Sequence, residues 1–127
     1  MINWSRHTNT SLAVHQLHLQ GVIAYPTEAV WGLGCDPFSF SAVKKILHLN
    51  NRPEHKGVIL IACDWQQFAL FTEGLTGGQL GRLQQPNSKP TTWLIPHNGV
   101  APDWIVGGHD TLAVRVTTHP VAACLCR

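Results

Sequence analysis

The chain has 127 residues, 44% of them hydrophobic and 13% charged, with a formal net charge of +2. That length suits one domain with a real core and excludes two ordinary ones, so residues 1–127 are expected to fold as a single unit. The charge is too small to argue by itself for nucleic-acid binding, although the eight histidines add positive charge below about pH 6.5.

In chain order, residues 10–20 (TSLAVHQLHLQ) suit a helix. Leu12, Ala13, Val14 and Leu17 fall near one face, Thr10 or Ser11 caps the start, and Gly21 ends it. VIAY (22–25) is a short apolar strand. Residues 39–49 (SFSAVKKILHL) form the clearest helix, with Ser39 or Ser41 as N-cap and Ala42, Val43, Ile46, Leu47 and Leu49 as its buried stripe. Asn50-Asn51-Arg52-Pro53 breaks it. VILIA (58–62) is a continuous apolar run, expected to be a central strand buried on both faces. DWQQFALF (64–71) reads as a helix capped by Asp64. Residues 72–90 have little periodicity and suggest loop around a short helix near Gln79 to Leu83. TTWLI (91–95) and TLAVRV (111–116) read as strands, and HPVAACLC (119–126) as a helix with Pro120 in its first turn. This alternation favours an α/β domain with a mixed sheet. The final helix is short, apolar and uncapped at Arg127, which leads us to expect a fragment or truncated product.

Cys35, Cys63, Cys124 and Cys126 make no Cys-x-x-Cys pair, which argues against zinc, and no metal-ligand set is expected. No apolar run approaches the roughly 18 residues of a membrane span, and the N-terminal MINWSRHTNT is polar. We therefore expect reduced thiols and a cytoplasmic protein without membrane contact.

The chemistry-bearing candidates sit at strand ends and helix breaks. Thr27 and Glu28 follow a strand directly, where open α/β sheets bind ligands, and Gly32 and Gly34 permit close approach to the main chain. Read alone, the segment is equally consistent with a ligand-free turn. Arg52 and Lys56 flank His55 beyond a helix and suit a polyphosphate, though a solvated basic loop fits the spacing better. No Gly-x-x-x-x-Gly-Lys is present, so a nucleotide site here is not a P-loop. Arg115 interrupts an apolar strand; it faces either solvent or a crevice that takes a carboxylate. His15 and His18 read as solvated and His109-Asp110 as a turn. No serine or cysteine stands in a nucleophile setting.

Three stretches, VIAYPTEAVWGLGCDP, AVKKILHLNNRPEHKGVILIA and DTLAVRVTTHP, resemble in sequence and order the YrdC/TsaC family, the threonylcarbamoyl-AMP synthases of the short bacterial type. The likeness implies a YrdC-like twisted mixed sheet with flanking helices around a basic cavity, lacking its C-terminal part. It implies synthesis of threonylcarbamoyl-adenylate and pyrophosphate from L-threonine, bicarbonate and ATP, with Mg2+ accompanying the ATP. The product serves the threonylcarbamoyladenosine modification of tRNA. Partners implied are tRNA or double-stranded RNA and the other tRNA threonylcarbamoylation proteins. Residue by residue, Thr27 matches the Pro-Thr-Glu threonine that holds the amino acid, and Arg115 matches the cavity arginine of a Val-Arg-Val strand. Arg52 matches the arginine of a Lys-x-Arg motif facing the phosphates, Lys56 a lysine before the next strand, and Thr92 the threonine of a Pro-x-Thr element near the nucleotide.

The sequence departs from the family pattern at Asn50, which stands where Lys-x-Arg has lysine. Asparagine still donates a neutral hydrogen bond, but losing a charge-assisted one costs roughly 1.5–3 kcal/mol. The family's Ser-x-Asn element lies beyond Arg127, and its Trp-Pro-Gly-Pro stretch reads Asn87-Ser88-Lys89-Pro90. These departures keep open a second function, a non-catalytic YrdC-like module that binds nucleotide or RNA.

Overall fold

The computed structural model describes residues 7–28, 30–85, 89–97 and 99–127. Ala29 and Asn87-Ser88, singled out in the sequence, lie outside the described residues, as do residues 1–6.

Helix α1 (Thr8–His18) begins earlier than expected: His7 is the N-cap, its Nδ1 accepting from the Asn9 N–H at 3.2 Å. Thr10, expected at the cap, is instead buried within the helix, while Leu12 is exposed. Strand β1 (Ile23–Tyr25) pairs antiparallel with β2 (Gly32–Gly34), placing Tyr25 opposite Gly32 and Ile23 opposite Gly34. A turn closed by Asp36, whose Oδ1 accepts from the Phe38 N–H at 3.0 Å, leads into α2 (Phe40–Leu49). Ser39 caps α2 as expected, accepting from the Ala42 N–H at 3.3 Å. Ala42, Val43 and Leu47 are buried, but Leu49 is exposed, since it lies two residues and about 200° round from Leu47.

Strands β3 (Ile59–Ala62), β4 (Trp93–Pro96) and β5 (Thr111–Val116) form a mixed sheet in the order β3-β5-β4, with β5 parallel to β3 and antiparallel to β4. This corrects the expectation for VILIA, because β5 is central and β3 lies at an edge of the described sheet. The apolar run has another cause. Leu60 and Ala62 face the core, while Ile59 and Ile61 wall a cavity on the other face. The expected helix at 64–71 is a 3-10 turn, Trp65–Phe68, running into α3 (Ala69–Thr72), with Asp64 capping as expected. Helix α4 (Gly77–Gln84) carries a capping box between Thr76 and Gln79. A short α5 (Asp103–Val106) precedes β5, and α6 (Pro120–Cys126) closes the chain with Pro120 in its first turn.

The core lies on one face of the sheet, where Leu60, Ile95, Leu112 and Val114 meet Val43 and Leu47 of α2, Phe68 and Phe71, and Ile105 of α5. Leu112 and Val114 have no solvent exposure, so the central strand is the most deeply buried element. The opposite face, and the edge of the sheet at β3 where Val43, Leu60 and Ile105 reach the same cavity, are left for the site.

Candidate active site

Three structural units meet around this region. The first is the β1–β2 ribbon. A Cβ placed on Gly34 would lie 2.6 Å from Cε1 of Tyr25, so this glycine is required for the Tyr25 ring to lie across β2. Beyond Tyr25 the chain turns, and the Thr27 hydroxyl donates to the Val30 carbonyl at 2.7 Å. Glu28 then reaches across the molecule. Its Oε1 accepts from the Thr117 hydroxyl and, at 3.2 Å, from the His119 N–H. Burial disfavours the Glu28 charge, but hydrogen bonds from Thr117 and from backbone N–H groups outweigh it and hold the carboxyl below its ordinary value.

The second unit is the open face of β3 and β5. Strand alternation buries Val114 and turns Arg115 the other way, level with Ile61 in the register. Arg115 Nε donates to the Thr92 hydroxyl at 3.1 Å, just before β4. Burial pushes the Tyr25 phenol above its ordinary value, with Cys126 adding to the rise and the Arg115 charge opposing it.

The third unit is the end of α2. Asn51 adopts φ 50°, its N–H bonds the His48 carbonyl at 3.1 Å, and the Arg52 N–H bonds the Leu47 carbonyl at 2.9 Å. This is a Schellman motif, and Asn is among the few non-glycine residues that tolerate the left-handed position. The motif reverses the chain so that Arg52 Nε donates to the Gly57 carbonyl at 2.9 Å. Gly57 sits at φ 70° and ψ −177°, a region open only to glycine. Its missing side chain lets the backbone press on α5: a Cβ there would lie 2.8 Å from the Ile105 carbonyl oxygen. Gly107 returns the arrangement at φ 63°, with a would-be Cβ 2.7 Å from the Gly57 nitrogen.

Between these units lies a cavity of about 620 Å³, lined also by Leu17 of α1 and by Ala122, Leu125 and Cys126 of α6. Four of the expected site residues, Thr27, Asn50, Arg52 and Arg115, line it together. Thr92 is absent from the lining and joins through its bond to Arg115. Lys56 does not line it; it ends the exposed turn Glu54–Lys56 beyond Arg52. The lining carries two arginines against one acid, Asp36, on otherwise largely apolar walls. Positive charge is therefore focused at two points rather than spread over a basic surface.

Sequence reasoning missed Tyr25, Cys126 and the reach of Glu28. Glu28 and Thr117 are 89 positions apart, so no local pattern links them. Tyr25 had a signal, a lone aromatic ending a strand opposite two spaced glycines. Cys35 and Cys126 are both pushed up to about 11, chiefly by burial, aided by Asp36 at Cys35 and Cys63 at Cys126. Both are neutral thiols at pH 7 and poor nucleophiles. Among the described residues no group of three or more His, Cys, Asp or Glu could hold a metal ion. No described helix is long and apolar enough to cross a membrane.

The profile of the Sua5, YciO and YrdC family, described as telomere recombination, matches residues 15–127. The chain is 52% identical over 127 residues to the threonylcarbamoyl-AMP synthase of Cellvibrio japonicus, and 51% over 114 residues to that of Halorhodospira halophila. It covers 67% and 60% of those two proteins, and the alignments take in 100% and 90% of this chain. Its structure is similar to that of P. abyssi Sua5 complexed with L-threonine, at a TM-score of 0.81 and 28% identity, over 91% of this chain and 34% of that one. The chain thus spans about two thirds or less of the length of these relatives.

Proposed function

The chain belongs to the Sua5, YciO and YrdC family, and from that premise we propose that its cavity takes part in forming threonylcarbamoyl-adenylate from L-threonine, bicarbonate and ATP. The observation that carries the reading is the convergence of Thr27, Asn50, Arg52 and Arg115 on one cavity. Its volume of about 620 Å³ lies within the range of small-molecule sites. The names of the relatives and the L-threonine in the P. abyssi Sua5 complex support the substrate class.

In this reading the two walls divide the work. Arg115, oriented by Thr92, meets the threonine carboxylate, and the Thr27 hydroxyl, which donates to the Val30 carbonyl, accepts from the same substrate. The substrate amine and bicarbonate give a carbamate with loss of water. A carbamate oxygen attacks the α-phosphorus, and the bond to the bridging oxygen breaks to release pyrophosphate. Arg52 and Asn50 face the phosphates, with Lys56 adding charge from the exposed turn and Thr92 near the nucleotide. Such a reaction asks for positioning and charge neutralisation rather than a side-chain nucleophile, and the two raised thiols agree with that. Mg2+ would accompany the ATP as the family likeness implies, and no step here runs through it. The reading implies a cytoplasmic setting and a tRNA-modifying pathway as consumer of the adenylate.

Asn50 favours one second reading, a module that binds nucleotide or RNA without turnover, because the neutral amide gives the phosphates less charge than lysine. Incubation with ATP, Mg2+, L-threonine and labelled bicarbonate separates the two. Labelled, threonine-dependent adenylate is expected; a cooperatively folded chain that binds ATP and forms none belongs to the second reading.

A further inference from the structure

Thr117 has only 2% of its surface exposed, yet its hydroxyl works in two directions. It donates to Glu28 Oε1 and accepts from the His119 N–H at 3.2 Å, while that N–H also points to Glu28 at 3.2 Å. The Thr117 N–H bonds the Ala62 carbonyl at 2.9 Å, extending the β3–β5 pairing by one residue. The knot therefore rests on the sheet. It also sits where α6 begins, since the His119 imidazole caps that helix by accepting from the Val121 N–H at 3.2 Å.

We propose that Glu28 is a positioning residue, a latch that holds the Thr27 turn at a fixed distance from Arg115 and so sets the width of the amino-acid end of the cavity. This rests on the reading given under Proposed function. The connections on both sides are short. Thr27 is the neighbour of Glu28, and Arg115 precedes Thr117 by two residues along a paired strand. The Thr27 hydroxyl's bond to the Val30 carbonyl is local to the turn, whereas the Glu28 knot ties the turn to β5 across the sequence. Two donors converging on one oxygen match a carboxylate, whose charge-assisted bonds are stronger than those of an amide. The knot also joins the turn to α6, whose Ala122 and Cys126 wall the same cavity. Asn50 and Arg52 stand on a separate turn fixed by backbone contacts with α5, so the latch acts on one end only.

The test compares wild type with Glu28→Ala, Glu28→Gln and Ile95→Val, the last a core change outside the cavity lining. Calorimetric titrations with L-threonine and with ATP are paired with amide and Arg Nε spectra of the ligand-free chain. Expected for Glu28→Ala is about a tenfold or greater loss of threonine affinity, with ATP affinity held within about twofold. Glu28→Gln should recover part of the loss, and the His119 amide should move upfield in both variants. Equal losses for threonine and ATP, in step with Ile95→Val, would make Glu28 merely structural and overturn the proposal. A wild-type chain that binds no threonine overturns the proposed function instead. The latch then stands if Glu28→Ala shifts the Thr27 amide and the Arg115 Nε resonance together, and falls if they stay in place.

Discussion

On one wall of the cavity, Thr27 and Arg115 are steadied by side chains that reach across the sequence, Glu28 to Thr117 and Arg115 to Thr92. On the other, Arg52 is steadied almost wholly by backbone: a Schellman turn, its own bond to the Gly57 carbonyl, and two glycines pressed against each other's chains. On the proposed function, the contrast matches what each wall would hold. A small carboxylate ligand needs a narrow, charge-matched opening, which side chains can set. A polyphosphate needs cations on a rigid turn, and here backbone supplies most of the rigidity, with Arg52 Nε tied to the Gly57 carbonyl.

The largest effect should come from breaking the backbone wall. Gly57→Ala forces a side chain into a glycine-only region and onto the Ile105 and Val106 carbonyls. It should cost on the order of 3 kcal/mol, read as a lowered urea midpoint. If the midpoint holds, the turn is softer than its geometry implies. Glu28→Ala should cost less, about 1 kcal/mol after allowing for partial exposure, and shift the same midpoint modestly. Arg52→Ala, which removes the bond to the Gly57 carbonyl, should change stability by about 1 kcal/mol or less. It should still weaken ATP binding roughly 10- to 150-fold; a variant that unfolds while its folded fraction keeps full ATP affinity would reassign Arg52 to the scaffold.

Two smaller effects involve protons. Because the folded-state value of Glu28 is depressed, its stabilisation is complete above the ordinary 4.5 and is lost as pH falls through the lower folded value. The gap in melting temperature between wild type and Glu28→Gln should therefore shrink on acidification below that range. Cys35 and Cys126 run the other way. Raised to about 11, they favour the fold up to the ordinary thiol value of 9.0, and that contribution is lost as pH rises through 11. Alkylation at pH 8, followed by mass spectrometry, should be slower at both than at free cysteine; equal rates would mean that the thiols are not desolvated.

Much of this was legible in the sequence, for local reasons. TLAVRV is the observed strand to the residue, because alternation and β-branching act within six positions. Ser39, Asp64 and Pro120 mark their helix starts because caps are set by neighbours three residues away. The ribbon partner Gly32–Gly34 and the four-residue α5 were not foreseen, since neither carries a propensity signal and each exists through pairing or packing. The edge position of VILIA was misread because a run apolar on both faces looks the same whether its second face meets a layer or a cavity.

By itself, then, the sequence determined the alternating α/β order, the helix caps at Ser39 and Asp64, the family likeness and the residue types available for the chemistry. Only the tertiary structure decided that Thr27, Asn50, Arg52 and Arg115 share one cavity, that Thr92 accepts a hydrogen bond from Arg115, that Lys56 stands outside the lining, and that Glu28 ties two distant segments together. Caps and strand periodicity are short-range and are written in adjacent residues. The cavity is a matter of which strand pairs with which and which face the core leaves uncovered, and those are fixed when separated segments bury their apolar faces against each other.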